Sequence, residues 1–544
     1  MHLFRRLACD APFPVVHGHG PQADRRNKGG RVFSAQRALA LVAVVVATIV
    51  MNGCAAPPKP ASARKVAALS ERLDEILHRR DRESVRYGAR VVDLATGQEL
   101  YSRRADEAVI PASNMKLPVS ATFLDTFGPE HTFKTYLAID GDDLWLIGTG
   151  DPATGDPAIA KKHGRAVTSV LNDWADALQA RGITEFKGKL YYYDGALDDE
   201  WVHREWSTGF LTDWYAAPVT GLNFNDNCID VTVFPTAQQK LVTYMVTPPV
   251  SGIKIVNECL TAASTQPTIN REAEANVFTL GGATTQPAEL ESKPVTDPGA
   301  FFADAMRTHF AARGIKVMGE TERAASPLGG APTPPRDKIV ATHETKVKDI
   351  LWRINKNSQN LFAEAACKLA GQAYLLDTGR GYRAGSWTSG QQAVKDFLGR
   401  QEIDASPLIV KDGSGLGRGN RVTARIISDL LVAMDSHQHG VVFRDSLSVA
   451  GQDGTLGKRM TDIKGHVFAK TGYIRGVRAC SGYVKTRDGR WLVFSIIYNG
   501  IPGSVTPYEA LQDEAIRTLV EWPDVKPATK PATQPALAQA SDVS

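Results

Sequence analysis

Ser113 and Lys116, in the stretch PASNMKL (111–117), are a hydroxyl and an amine three residues apart. On a helix that spacing puts both side chains on one face, where the amine can take the hydroxyl's proton and make a nucleophile of it. A lysine serves as that base only if its pKa falls. Desolvation lowers it, and a second cation nearby pushes the same way. The pattern alone is cheap, since Ser62 with Lys65 and Ser251 with Lys254 repeat it. Two further motifs lift it above accident: Ser358-Gln359-Asn360 and Lys470-Thr471-Gly472.

Together these residues supply the parts of an acyl-transfer site. Ser113 attacks, Lys116 accepts its proton, Ser358 carries protons toward a departing amine, and Asn360 holds a peptide amide. Lys470, the second cation, and Thr471 would meet a terminal carboxylate. Gly472 has no side chain, so an extended substrate can lie along that strand edge as an added strand. The backbone N–H groups of Ser113 and Tyr473 would form an oxyanion hole, each donor contributing roughly 3 to 4 kcal/mol to the transition state.

These parts are far apart in a chain of 544 residues, long enough for two or three domains. A hydrophobic content of 43% with 22% charged residues is that of a globular protein. The formal charge of +4 is spread out, and no basic tract alternates with aromatics, so nothing points to nucleic acid. Residues 87–106 read as a hairpin turning at Ala95-Thr96-Gly97, and 478–500 as a second turning at Arg487-Asp488-Gly489. Between them, 174–194 and 302–320 share a helix, Arg-Gly turn and strand plan. The stretch 224–297 alternates apolar and polar residues between Pro and Gly boundaries, as a β-rich insert would. An antiparallel sheet flanked by helices and built from both chain ends, an α+β fold, accounts for this order.

These readings divide the chain into a leader (1–54), a linker (55–64), an outer domain of 65–133 with 344–522, an inserted α/β domain of 134–223 with 298–343, a nested β-rich domain (224–297), and a disordered tail (523–544). Residues 38–51 form a short uncharged apolar run behind several arginines, as in a secretory signal. The run is short for a full membrane span. It ends in MNGC, so Cys54 is a candidate for lipid attachment at a membrane, and an uncleaved leader is the other route to one. Cys228 and Cys259 are close enough in sequence to pair in an exported protein. Cys367 and Cys480 sit in apolar contexts that suit buried thiols. No His or Cys spacing indicates a metal, and the proposed chemistry needs no cofactor.

Longer strings sharpen the reading. PASNMKL, NKNSQNLFAE, DGSGLGRGNRVTA, GQDGTLGKRM and AKTGYIRGVRACSGYV resemble the D-alanyl-D-alanine carboxypeptidase/endopeptidase family of low-molecular-mass class C penicillin-binding proteins. The resemblance covers roughly residues 70–522. It implies a β-lactamase/transpeptidase-like domain carrying a nested two-part insertion, peptidoglycan stem peptides as substrate, and β-lactams as covalent inhibitors. It also implies an exported, periplasmic serine peptidase and an acidic residue from the insertion that reads a cationic group on the stem peptide. Asp198 in YYYDGALDDEW is the candidate for that place.

The chain departs from the family's pattern in several positions. Tyr473 stands where Thr is usual, which keeps a backbone N–H but changes the contact with a substrate carboxylate. Cys480 replaces a usual Leu, and Gly417 a usual Ser. Pro118 lies inside the nucleophile helix and removes the bond to the Asn114 carbonyl, so that helix should start irregularly. Ser414 in DGSGLG reads as a structural turn edging the site, and His437 and His439 as a polar helix end. A β-lactamase or esterase using the same motifs is the first alternative, lacking an identifiable deacylating Glu. A non-catalytic peptidoglycan-binding homologue is the second, and the intact motifs count against it.

Overall fold

Strands buried on both faces read as near-continuous apolar runs, and WLVFSIIYN is one such run: seven of its nine residues are buried. In the computed structural model, which describes residues 60–524 apart from 81, 264–265 and 332, it is Trp491–Asn499 at the centre of a six-stranded sheet. The order is Ser448–Val449, Val467–Ile474, Val477–Lys485, Trp491–Asn499, Arg86–Asp93, Glu99–Arg103, antiparallel throughout. Both hairpins read from sequence lie in this sheet, and the chain's two ends meet where Arg86–Asp93 pairs with Trp491–Asn499. Gly97 and Gly489 turn them at φ +68 and +91, a region glycine enters without steric cost.

Alternation along these strands splits the core in two. Cys480, Val484, Leu492, Phe494 and Ile496 face one way, under the first helix (Ala63–His78) and the last (Thr506–Val520). Ala479, Tyr483, Val493 and Ile497 face the other, toward the helices Lys116–Phe127, Asn360–Asp377 and Ala424–Ser436. That second layer carries the motifs.

The two helix–turn–strand units pair with one another. Strands Glu185–Phe186 and Lys316–Val317 run parallel, as do Leu190–Tyr193 and Thr321–Arg323. The helices preceding them stack Trp174 on Phe302 at 6.0 Å between ring centroids. The longer pairs join a five-stranded sheet with Asp143–Gly148, Thr132–Asp140 and Ile339–Lys346. The last two are antiparallel neighbours, and the sequence boundaries at 133/134 and 343/344 fall inside them. Within 224–297 the alternating runs form two small sheets of short strands. Cys228, Cys259, Cys367 and Cys480 are all buried free thiols. The Cys228–Cys259 pairing that spacing allowed is therefore not made, each cysteine filling apolar packing instead.

The leader, with Cys9 and Cys54, and the tail beyond 524 lie outside the described residues. Among the described residues no helix is long and apolar enough to cross a membrane.

Candidate active site

The nucleophile turn starts irregularly, as Pro118 requires. Ala112–Met115 is a 3₁₀ turn and the α-helix begins at Lys116, whose amide donates to the Ser113 carbonyl in a 3₁₀ i→i−3 bond. The chemical consequence is direct. At three residues per turn, side chains at i and i+3 eclipse, and Lys116 Nζ donates to Ser113 Oγ at 3.0 Å. The sequence reading placed both on one α-helical face; a 3₁₀ turn aligns them better than an α-helix would. Ala112 is held at φ +48, an uncommon backbone state for a residue other than glycine.

The sheet is built to receive this turn. Ser481 and Ser495 are two small polar residues on the inner face: Ser481 Oγ accepts from Asn114 Nδ2 at 2.6 Å and donates to Ser495 Oγ at 2.9 Å. Gly472 sits against the turn, where a Cβ would lie 3.0 Å from both the Ser113 nitrogen and the Pro111 oxygen. Its lack of a side chain therefore makes room for the nucleophile's own amide, a reason the strand-edge reading did not include. The edge itself is open: Ser448–Val449 covers the motif strand only at Phe468 and Ala469, short of Lys470-Thr471-Gly472.

Lys116 is fully buried. Besides Ser113 it donates to Asn360 Oδ1 at 2.7 Å and to the Ser414 carbonyl at 3.0 Å. Burial pushes its pKa down to about 7, against the charges of Glu364 and Asp412, which push it up. The amine is thus a base at neutral pH, as the chemistry asks.

Two motif residues have partners that the sequence reading did not include. Lys470 is fully buried rather than open to a carboxylate, with Nζ donating to Ser358 Oγ and the Thr471 carbonyl, both at 2.8 Å. Burial first, and Lys116 second, hold its pKa well below the usual lysine range. Asn360 is engaged at both ends: its Oδ1 takes the Lys116 proton donor and its Nδ2 donates to the Tyr215 carbonyl at 2.7 Å. It links the base to the inserted segment, with a second Nδ2 hydrogen and a second Oδ1 lone pair beyond these two bonds. Ser358 sits at φ +60. Thr471 donates to Thr455 Oγ1 at 2.8 Å.

Ser113, Ser358, Asn360 and Tyr473 line one cavity of about 440 Å³, a size suited to a small ligand or peptide end. Tyr473, 58% exposed, forms part of its rim with the Arg478 guanidinium near its ring. A wider polar depression of about 540 Å³ between Arg82 and Glu107 holds none of the motif residues. Asp198 does not line the 440 Å³ cavity. Its carboxylate binds buried Lys368 at 2.7 Å, and Lys368 sits over the Trp387 ring at 3.8 Å. Backbone bonds of Ala196 and Asp198 to Gly385 fix that loop beside the Asn360–Asp377 helix. The insertion instead reaches the cavity through Phe210, Trp214 and Tyr215, and the aromatic density of GFLTDWY was the available signal. Asp213 beside them pairs with Lys293 at 3.0 Å. Ser414 is a turn residue as expected, but its carbonyl is a ligand of the base.

A buried Ser–Lys pair, a second Lys–Ser pair beside it and an open strand edge, on an antiparallel sheet under helices, define an active-serine acyl-transfer enzyme. The chain belongs to the D-Ala-D-Ala carboxypeptidase 3 (S13) family of serine DD-peptidases, whose model matches residues 69–521. It is 31% identical over 529 residues to the D-alanyl-D-alanine carboxypeptidase of Actinomadura sp. (strain R39), covering 91% of this chain and 92% of that one. It is 23% identical over 359 residues to the D-alanyl-D-alanine carboxypeptidase DacB of Haemophilus influenzae, covering 64% and 71% of the two chains. The solved structure of penicillin binding protein 4 (dacB) from Haemophilus influenzae shares the fold at a TM-score of 0.67 and 20% identity, over 83% of this chain and 99% of that one. The same protein has been solved complexed with a β-lactam, at a TM-score of 0.63 and 20% identity, covering 84% of this chain and all of that one.

Proposed function

We propose that Ser113 is the nucleophile and Lys116 the general base of a D-alanyl-D-alanine peptidase acting on peptidoglycan stem peptides. The observation that carries this is the buried Lys116 amine 3.0 Å from the Ser113 hydroxyl. Ser113 Oγ attacks the D-Ala-D-Ala carbonyl as its proton passes to Lys116, and the N–H groups of Ser113 and Tyr473 receive the oxyanion. The C–N bond then breaks. Ser358, bonded to Lys470, delivers a proton to the departing D-alanine amine and is reprotonated from Lys116, leaving an acyl ester on Ser113 and the base free again. Water, deprotonated by the same base, hydrolyses that ester.

Cleavage of a D-Ala-to-diamino-acid crosslink is the same chemistry with a larger leaving group, so endopeptidase action belongs to this proposal. So does acylation of Ser113 by β-lactams, which supply a strained amide in the same cleft. The outer segments 65–133 and 344–522 form the catalytic domain, with 134–343 inserted. The leader suits an exported enzyme of the cell envelope, with Cys54 as a candidate lipid site. Asp198, paired with Lys368, is the candidate for reading the stem peptide's cationic group.

Two measurements test this: the mass of the protein after penicillin treatment, with peptide mapping, and D-alanine release from a muramyl-pentapeptide. One adduct on Ser113 together with D-alanine release is expected. A label on Ser62, Ser251 or Ser414, or no label with no release, would refute it. Rapid turnover of the β-lactam without D-alanine release would favour a β-lactamase instead.

A further inference from the structure

Behind Lys116 stand two buried carboxylates that no step above uses. Glu364 lies one turn into the Asn360–Asp377 helix, and Asp412 opens the loop DGSGLGRGN; both are fully buried. Glu364 Oε1 accepts the Ser414 amide at 2.9 Å, and Oε2 accepts the Gly413 amide at 2.6 Å and the Trp387 indole N–H at 2.7 Å. Asp412 Oδ1 accepts from the Gly415 amide and Asn420 Nδ2, both at 2.8 Å. Its Oδ2 accepts the Gly417 amide at 2.6 Å and the Trp206 indole N–H at 2.8 Å. Every one of these donors is a neutral N–H.

One peptide joins this pair to the base. The Ser414 carbonyl accepts from Lys116 Nζ at 3.0 Å, while the N–H of that same peptide unit, on Gly415, donates to Asp412. Glu364 pins the preceding amide. The fit is tight: Gly415, at φ +83, passes so close that a Cβ there would overlap the Ala112 oxygen. A shift in the loop would therefore move the nucleophile turn as well as the ligand of the base.

We propose that Glu364 and Asp412 are positioning residues for the catalytic lysine, fixing the Ser414–Gly415 peptide against it and supplying the negative charge that keeps a buried amine basic. This rests on reading Ser113 and Lys116 as nucleophile and base. The titratable groups facing Lys116 are Lys470 from the motif strand, Glu364 from the helix and Asp412 from the loop. Burial disfavours its ammonium form. The carboxylates oppose it, and without that opposition the amine would be too weak a base to activate a serine. Glu364 is itself pushed up to about 7, by burial first and then by Asp412, so proton loss from the lysine and from this carboxyl are linked.

The test is the pH profile of acylation by a chromogenic β-lactam, measured by stopped flow on wild type, Glu364→Gln, Asp412→Asn and Glu364→Asp, with thermal melts alongside. The acid limb tracks the loss of the Lys116 proton. Removing a carboxylate favours that loss, so the limb should move to lower pH by about one unit, the scale of one nearby charge at an effective dielectric of about 20. Glu364→Asp keeps the charge and should bring the limb back toward wild type. A limb unmoved in the folded amide variants, whatever their rates, overturns the proposal, and so does a limb moved to higher pH. Should one amide variant fail to fold, the other carries the test. Wild type that takes no label at Ser113 overturns the reading of the site itself. Labelled wild type with an unmoved limb overturns only the role of the carboxylates.

Discussion

Replacing Lys116 with Met separates what the buried amine does for catalysis from what it does to stability, because the two effects have opposite signs. Moving a lysine from 10.5 to about 7 raises its neutral fraction at pH 7 from about one in three thousand to about one half. The same shift costs stability. The unfolded chain binds more protons than the folded one between pH 7 and 10.5, so the folded state gives up roughly 4 kcal/mol at pH 7. That cost is present in full below pH 7 and fades as pH rises toward 10.5. Met removes the cost but leaves the Asn360 and Ser414 oxygens without a donor, at about 1 to 3 kcal/mol each. The terms nearly offset, so the variant should fold about as stably as wild type at pH 7. At pH 9 the lysine's cost has fallen to roughly 2 kcal/mol, so wild type should gain about that much on the variant. Acylation by a chromogenic β-lactam should fall by about 10²- to 10⁴-fold. Urea unfolding at the two pH values and stopped-flow acylation check both halves. A variant that acylates within about tenfold of wild type, or a wild type that gains nothing between pH 7 and 9, would refute the reasoning.

Lys470→Arg should lose most acylation. Lys470 Nζ is enclosed 2.8 Å from Ser358 Oγ, and a guanidinium overfills that space; the same stopped-flow assay decides, and near wild-type acylation would sink the claim. Gly472→Ala should slow acylation by about 10- to 100-fold without unfolding the protein, because its Cβ would press on the backbone of Ser113 and Pro111 at 3.0 Å; unchanged rates would mean that the turn yields freely.

The fold was legible where periodicity is local. The two hairpins, the paired helix–turn–strand units and the irregular start of the nucleophile helix each depend on residues within about a dozen positions of one another, and turn glycines or a proline announce them. The three motifs were legible because their spacings are short. The partners of those motifs were not. Nothing near Lys470 in sequence says that its amine meets Ser358, 112 positions away. Asn360 was read as holding a substrate amide, and nothing near it in sequence says that it also joins Lys116 to the Tyr215 carbonyl. Asp198 was the candidate because the family resemblance implies an acidic residue from the insertion near the cleft. A lysine on a helix 170 positions later claims it.

The same non-local wiring explains why the insertion cannot be treated as a passenger on the catalytic domain. Asn225, Asp226 and Asn227 all lie at positive φ, a costly run for residues other than glycine. It is held by buried partners. Asp226 Oδ2 accepts from Gln359 Nε2 at 2.8 Å and from Arg353 Nη2 at 2.6 Å, and Arg353 also binds Asp156. Gln359 is the middle residue of the Ser358-Gln359-Asn360 motif, the one with no part in the chemistry. Its side-chain oxygen accepts the Asn360 amide while its nitrogen reaches the insertion. Asn360 reaches the same segment through Tyr215. The second motif is therefore fastened to the insertion at two consecutive residues, one of which touches the base. Any displacement of the 213–227 segment is felt at Lys116 through a single side chain, and the aromatic cleft wall of Trp214 and Tyr215 moves with it.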